Sequence, residues 1–272
     1  MLASDSTDFS ANAERFSGFA ALYDQHRPQP PAALLDYLTR LVSPAMMIET
    51  VVDLGSGTGL SSRAWAERAA QIIGIEPSDD MRRQAGAMTP HRHIRYQAGF
   101  SHATGLPDAS ADLVTCSQSL HWMEPNGTFA EVARILRPGG IFCAYDNDWP
   151  PATPAWEADA AFLAVLDGSH AVEKKHHLSK NVQRWEKEGH LSRMQASGYF
   201  RYCWEIVVHN VEIGNAERLI GLALSQGGVM TLLKNNIPES EFGLDRLRDI
   251  ATRTLADDVL FLFCYRARLG VV

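Results

Sequence analysis

The chain has 272 residues, 46% of them hydrophobic, enough to bury a sizeable core in one large domain. Lys and Arg number 25 against 32 Asp and Glu, and a net charge of -7 argues against a nucleic-acid partner. Cys116, Cys143, Cys203 and Cys264 lie far apart in apolar stretches without Cys-x-x-Cys spacing, so they read as buried thiols in a reducing compartment.

The polar, acidic stretch 1–12 reads as a disordered lead, neither a signal peptide nor a membrane anchor. No apolar run approaches the roughly 20 residues of a membrane span, so the default expectation is a cytoplasmic protein. FSGFAALYDQHRP predicts a short helix with Phe16, Phe19 and Tyr23 near one face, stopped by Pro28. Residues 30–42 predict a clearer helix with proline at its start and an apolar face of Leu34, Leu35, Leu38, Leu41 and Val42.

A strand over 50–54, a helix over 60–70 and a strand over 71–76 follow. A helix then begins behind the Ser78-Asp79-Asp80 cap, and strands are expected over 93–99 and, centrally, 112–117. A helix over 127–136 ends at Arg137-Pro138-Gly139-Gly140, read as a turn ahead of a strand over 141–146. Strands apolar on both faces, alternating with helices, define an open parallel sheet covered by helices. Beyond 146 come a proline-rich entry and a helix, then a polar mixed-charge stretch of helix and loop. A long strand over 201–213 and a last strand over 259–267 enclose a helical insertion.

The stretch VVDLGSGTGL carries the chemistry. A strand feeding Gly55-Ser56-Gly57-Thr58-Gly59 and then a helix brings backbone N–H groups and a positive helix end to one point. The spacing is G-x-G-x-G, whereas the dinucleotide fingerprint needs its third glycine at position 60, which is Leu60. Asp53 is a carboxylate in an apolar strand and requires hydrogen-bonding partners, from turn N–H groups or a ligand ammonium. Glu76, followed by Pro77, sits where an acid can accept two ribose hydroxyls, or else caps a helix; Met81 then lies near a base or packs in the core.

VVDLGSGTGL, IIGIEPS, GFSHATGLPDASADLVTCSQSLHW and ARILRPGG, in that order, resemble the class I S-adenosylmethionine-dependent methyltransferases. The small-molecule group that includes trans-aconitate-like and ubiquinone or sterol methyltransferase-like proteins is similar, and FAALYDQHRPQPP resembles its leader. The resemblance implies a Rossmann-like α/β fold: a seven-stranded, mostly parallel sheet with its last strand antiparallel, helices on both faces and a late helical insertion. It implies one domain over 1–272, with a helical cover over 1–45, a cofactor core over 46–150 and a substrate side over 151–256. The cofactor would be S-adenosyl-L-methionine, with S-adenosyl-L-homocysteine as product. Gly55, Ser56, Gly57 and Gly59 would hold its methionine part, with Glu76 on the ribose and Ser101 and His102 flanking adenine. Many relatives carry an acid near that last stretch, and here Phe100, Ser101 and His102 stand instead.

Gln118 would touch the methionine end, and His121 and Trp122 would border the methyl acceptor, with Tyr145 and Trp149 as further acceptor wall. Tyr23 and Arg27 match leader residues that fold over the cofactor, and Arg27 suits a carboxylate of cofactor or substrate. Methyl transfer from a sulfonium needs chiefly proximity, so no triad is required; His121 is the candidate base for a protonated acceptor. His91 and His93, or His176 and His177, lack metal-ligand spacing, and no metal is expected. The partner would be a small-molecule methyl acceptor, with the chain a monomer or homodimer. A nicotinamide-dependent oxidoreductase and a non-catalytic cofactor-binding protein on the same fold are the alternatives.

Overall fold

Val51 and Leu113 carry their side chains to one face of a sheet, Val52 and Val114 to the other, and all four are fully buried. That two-faced burial is what an apolar run without alternation demands. A computed structural model describes residues 11, 12, 15 and 18–272; the lead over 1–10 and Phe16 lie outside the described residues. Asn12, read as part of that lead, is instead buried and held by hydrogen bonds to the Trp122 and Gln183 carbonyls.

The sheet is built from β1 (Ile48–Leu54), β2 (Ala69–Ile75), β3 (Ile94–Gln97), β4 (Ala111–Ser117), β5 (Leu136–Ala152), β6 (Tyr202–Gly214) and β7 (Val259–Val271). Its order is β3-β2-β1-β4-β5-β7-β6. β1 to β5 run parallel, while β7 runs antiparallel to both β5 and β6. The expected seven-stranded α/β architecture is therefore present, with the helical insertion between β6 and β7.

Before β5 the chain forms α1 (Ala20–His26), α2 (Ala32–Val42), α3 (Leu60–Ala64), α4 (Asp79–Met88) and α5 (Pro125–Ile135); α2 packs on one face of the sheet, with its Leu34 and Leu38 at 0% exposure. The core that includes α2 continues through α6 (Trp156–Lys175), α8 (Ala216–Leu224), α9 (Gly227–Lys234), α10 (Glu239–Phe242) and α11 (Leu244–Thr254). The opposite core joins Val52, Leu54 and Val114 to Phe129 and Val132 of α5, Met194 of α7 (His190–Ala196) and Phe200. Phe142 and Phe200 stack there at 5.7 Å, with Phe129 edge-on to both.

Three expectations shift. The helix expected over 60–70 is only the five residues of α3, because Trp65 turns inward to 0% exposure and β2 already begins at Ala69. Arg137-Pro138-Gly139-Gly140 lies inside β5 as a bulge: Leu136 pairs with Ala111 and the next partners are Ile141 and Leu113. Leu41, assigned to the apolar face of α2, is 42% exposed. Leu38→Ala should therefore destabilise by about 2–5 kcal/mol in urea unfolding, whereas Leu41→Ala should stay within about 0.5 kcal/mol. Equal losses would misplace the buried stripe.

Candidate active site

Gly55 and Ser56 donate their N–H groups to the carbonyl of Ile75, at 2.8 and 3.1 Å, tying the glycine turn to the end of β2. Gly57 N–H donates to Glu76 Oε2 at 3.0 Å, and Ser78 N–H to Glu76 Oε1 at 2.9 Å. These N–H groups thus serve the protein itself, and the short α3 offers little dipole, so the turn is less an anion seat than the sequence suggests. Its value is shape. Gly57 has φ +54°, and a Cβ there would meet nothing within 4 Å, leaving its Cα open to a ligand. Burial raises the pKa of the Glu76 carboxyl, and the Ser78 and Gly57 N–H groups work against that rise.

Asp53 lies a layer below the turn and borders none of the three cavities around it. Ser61 and Ser62 donate to its Oδ2 at 2.6 and 2.7 Å, and Thr115 to its Oδ1 at 3.0 Å. Burial pushes its pKa up against those three hydroxyls. Its partners are these hydroxyls, in place of the turn N–H groups or ligand ammonium the sequence offered. Gly59 is also away from the cavities, packed over Tyr96.

The first cavity encloses about 800 Å³. Gly55, Gly57, Glu76, Pro77 and Met81 line one end, Phe100, Ser101 and His102 the other, closed by Tyr23, Gln118 and Trp122. Among the described residues, the Asp, Glu, Lys or Arg side chains that line it are both acids, Glu76 and Glu124. A second cavity, about 630 Å³, shares Tyr23, Gln118 and Trp122 with the first. It adds Arg27, His121 and Trp149, with Arg15, His170, Arg184 and Lys187, and no acid among the described residues lines it. A third, about 460 Å³, runs from Ser56 and Gly57 past Arg27 to Asn147 and Tyr265. Tyr23 and Gln118 border all three. Of the expected acceptor wall, Tyr145 borders none of them: it is fully buried in the core beside Tyr265.

Gln118 has φ +54°, a left-handed conformation uncommon outside glycine, and its N–H is fixed by the Tyr145 carbonyl at 2.9 Å. Lys187 Nζ donates to its side-chain Oε1 at 3.1 Å. Tyr23 is held from the other side: Thr58 Oγ1 and Arg63 both bind Asp24 of α1, at 2.7 and 2.6 Å.

His121 Nδ1 is 3.4 Å from Asp146 Oδ1, and the Asp146 carboxylate also meets Lys187 at 3.1 Å and Arg268 at 3.4 Å. Burial alone would raise the Asp146 carboxyl, but Lys187 and His121 beside it hold it low. Burial, then the Lys187 charge, pushes His121 down to about 3, so its imidazole is neutral at neutral pH. His190, also buried, falls to about 4. Donor atoms of His121, Asp146 and His190 lie within 4.8 Å of one another. Two cations already compensate Asp146, so the cluster forms an ion-pair network.

Arg15, Arg184 and Lys187 escaped sequence reasoning. They sit in polar stretches with no motif, and only the folding of 170–187 against the leader brings them to the cavity.

A family model described as a methyltransferase domain matches residues 52–144. An uncharacterized methyltransferase of Mycobacterium tuberculosis is 33% identical over 125 residues, 46% of this chain and 49% of that protein. The demethylmenaquinone methyltransferase of Clavibacter sepedonicus is 32% identical over 177 residues, 59% of this chain and 69% of that one. The chain belongs to the class I S-adenosylmethionine-dependent methyltransferases. It spans about half the length of the first curated relatives it matches. Among solved structures, a chain of Anaeromyxobacter dehalogenans provisionally assigned as a type II methyltransferase is similar in fold, with a TM-score of 0.62 at 22% identity over 90% of this chain and 97% of that one. The YcgJ protein of Bacillus subtilis is similar with a TM-score of 0.53 at 18% identity, over 87% and 97%.

The depressed histidines have a pH consequence. An unfolded histidine titrates near 6.5, so below that pH the unfolded chain binds the extra proton first. Their contribution is complete above about pH 6.5 and is lost as pH falls toward 3. His121→Gln should flatten the fall in melting temperature between pH 6.5 and 4. An unchanged slope would mean that His121 is not held neutral by the fold.

Proposed function

We propose that this chain transfers a methyl group from S-adenosylmethionine to a small organic acceptor. The observation that carries the reading is the pair of cavities with opposite lining, acid-bordered and cation-bordered, meeting at Tyr23, Gln118 and Trp122. The open Cα of Gly57 and the buried Glu76 carboxylate fit the cofactor, the acid because it retains lone pairs for ribose hydroxyls. Phe100, Ser101, His102 and Met81 would flank the adenine, Pro77 the ribose edge, and Ser56 and Gln118 the methionine end. Arg27 stands between the second and third cavities, where its guanidinium can meet a carboxylate of either reactant.

When bound, the cofactor supplies an electrophilic methyl carbon whose transfer needs chiefly a nucleophile held in line. Tyr23 and Trp122 would exclude water from that junction, and Gln118 would position the groups on its two sides. His121, on the acceptor side, is a weak base at best, because a conjugate acid near 3 readily gives its proton back. An acceptor already deprotonated at neutral pH suits this site. Trp149 would form the far wall of the acceptor cavity, and Tyr145, buried beside β7, would act only by supporting it.

Gly57→Arg would place a side chain in the cofactor cavity and strain a positive φ. Calorimetric titration should show S-adenosylmethionine binding in the unsubstituted chain, no binding of NAD, and loss of at least 100-fold in affinity in the variant. Preferential binding of NAD would overturn the assignment, and retained affinity in the variant would displace the cofactor from the turn.

A further inference from the structure

Among the described residues, the second cavity is bordered by Arg15, Arg27, Arg184 and Lys187 and by no Asp or Glu. Two of these cations have acidic partners outside the lining: Arg15 meets Glu173 at 2.7 Å, and Lys187 meets Asp146. Arg27 and Arg184 have no carboxylate within ion-pair distance among the described residues.

Arg27 is the telling one. It is only 9% exposed, its Nη2 donates to the Ser225 carbonyl at 2.9 Å and to Gln226 Oε1 at 3.1 Å, and its Nε has no partner. The Tyr23 ring at 4.6 Å and the Trp149 ring at 5.3 Å hold the guanidinium in place. A buried cation without a counter-charge costs stability unless something anionic completes it.

The N-terminus of α9 also reaches this cavity, at Gly227 and Gly228, where two buried glycines let Arg15 and Glu173 pack close: a Cβ at either would meet the Arg15 side chain, and one at Gly228 the Glu173 carboxylate at 3.0 Å. Arg184, exposed at the mouth and donating to His170 Nε2 at 3.0 Å, places a further guanidinium over the Trp122 ring at 5.6 Å.

We infer that the methyl acceptor is a small organic anion, a carboxylate or a phosphate ester, whose charged group is held between Arg27 and Arg184. This rests on the methyltransferase reading, since it assigns the second cavity to the acceptor. In the reaction the cofactor's sulfur–methyl bond breaks, a bond from the acceptor nucleophile to that carbon forms, and the sulfur keeps the electron pair as the neutral thioether of S-adenosylhomocysteine. Any proton on the nucleophile leaves to solvent. Anion binding next to Lys187 and Arg184 also offsets two of the charges that depress His121, making its imidazole more basic once the acceptor is in place.

The test uses the full chain. S-adenosylhomocysteine is titrated first; failure to bind sinks the methyltransferase reading without touching the charge of the second cavity. With S-adenosylhomocysteine present, 4-hydroxybenzoate and phenyl phosphate are then titrated against neutral 4-hydroxybenzamide. At least one anion should bind tenfold or more tightly than the amide, and the better of the two identifies the charged group. Arg184→Met, a surface change that spares the core, should weaken that anion at least fivefold and leave S-adenosylhomocysteine affinity within twofold. Arg27→Met should remove the preference for the anion over the amide. Equal binding of amide and anions, no anion binding at millimolar concentration, or an Arg184→Met variant with undiminished anion affinity overturns the proposal.

Discussion

A buried carboxylate with no cation beside it holds the centre of this molecule together. Asp53 ends no chain of charges; it accepts hydrogen bonds from three neutral hydroxyls, two at the start of α3 and one on β4. Each such bond to a charged group is worth about 1.5–3 kcal/mol net, and leaving the buried carboxylate unsatisfied would cost its full desolvation penalty. That penalty fixes Ser61, Ser62 and Thr115 around one point, and so fixes how the chain leaves β1, turns through three glycines and enters a helix. Glu76 does the same from β2 by receiving the Gly57 N–H. The turn is therefore preformed by its own protein, and a ligand meets a finished surface.

The acidic and cationic cavities extend that order outward. Glu76 and Glu124 on one side, and on the other Arg27 and Arg184, which have no carboxylate partner among the described residues, give the two compartments opposite charge across a boundary shared by Tyr23, Gln118 and Trp122. In a low-dielectric interior the resulting fields are strong and cost no rearrangement when charge moves between the two sides. The buried Arg27 of the second cavity is tolerated because aromatic faces and a carbonyl oxygen hold its guanidinium.

How far the sequence foretold this follows from the range of each interaction. The succession of strands along the chain up to β5, the Ser78 cap and the glycine turn were legible because they depend on neighbouring residues or on patterns of burial. The role of Asp53 was half legible: its oddness in an apolar strand demanded partners, but Thr115, 62 residues away, was invisible. The shortened α3 was missed because Trp65 is a packing decision made by the tertiary core. The bulge at Arg137–Gly140 reads in sequence as a turn, and only pairing with β4 keeps it within a strand. The cation-bordered cavity was partly legible: Arg27, His121, Trp122 and Trp149 were singled out from the sequence and line it, whereas Arg15, Arg184 and Lys187 carry no motif and arrive only through the folding of the leader and the 170–187 stretch.

Tyr23 belongs to a seven-residue helix that is no part of the sheet, yet it borders all three cavities. Its position is secured through Asp24, which Thr58 of the glycine turn and Arg63 of α3 both grip. With cofactor and acceptor placed as proposed, one side chain on one short helix would shield both: the dryness that protects a reactive sulfonium from water would be set by the same ring that encloses the acceptor.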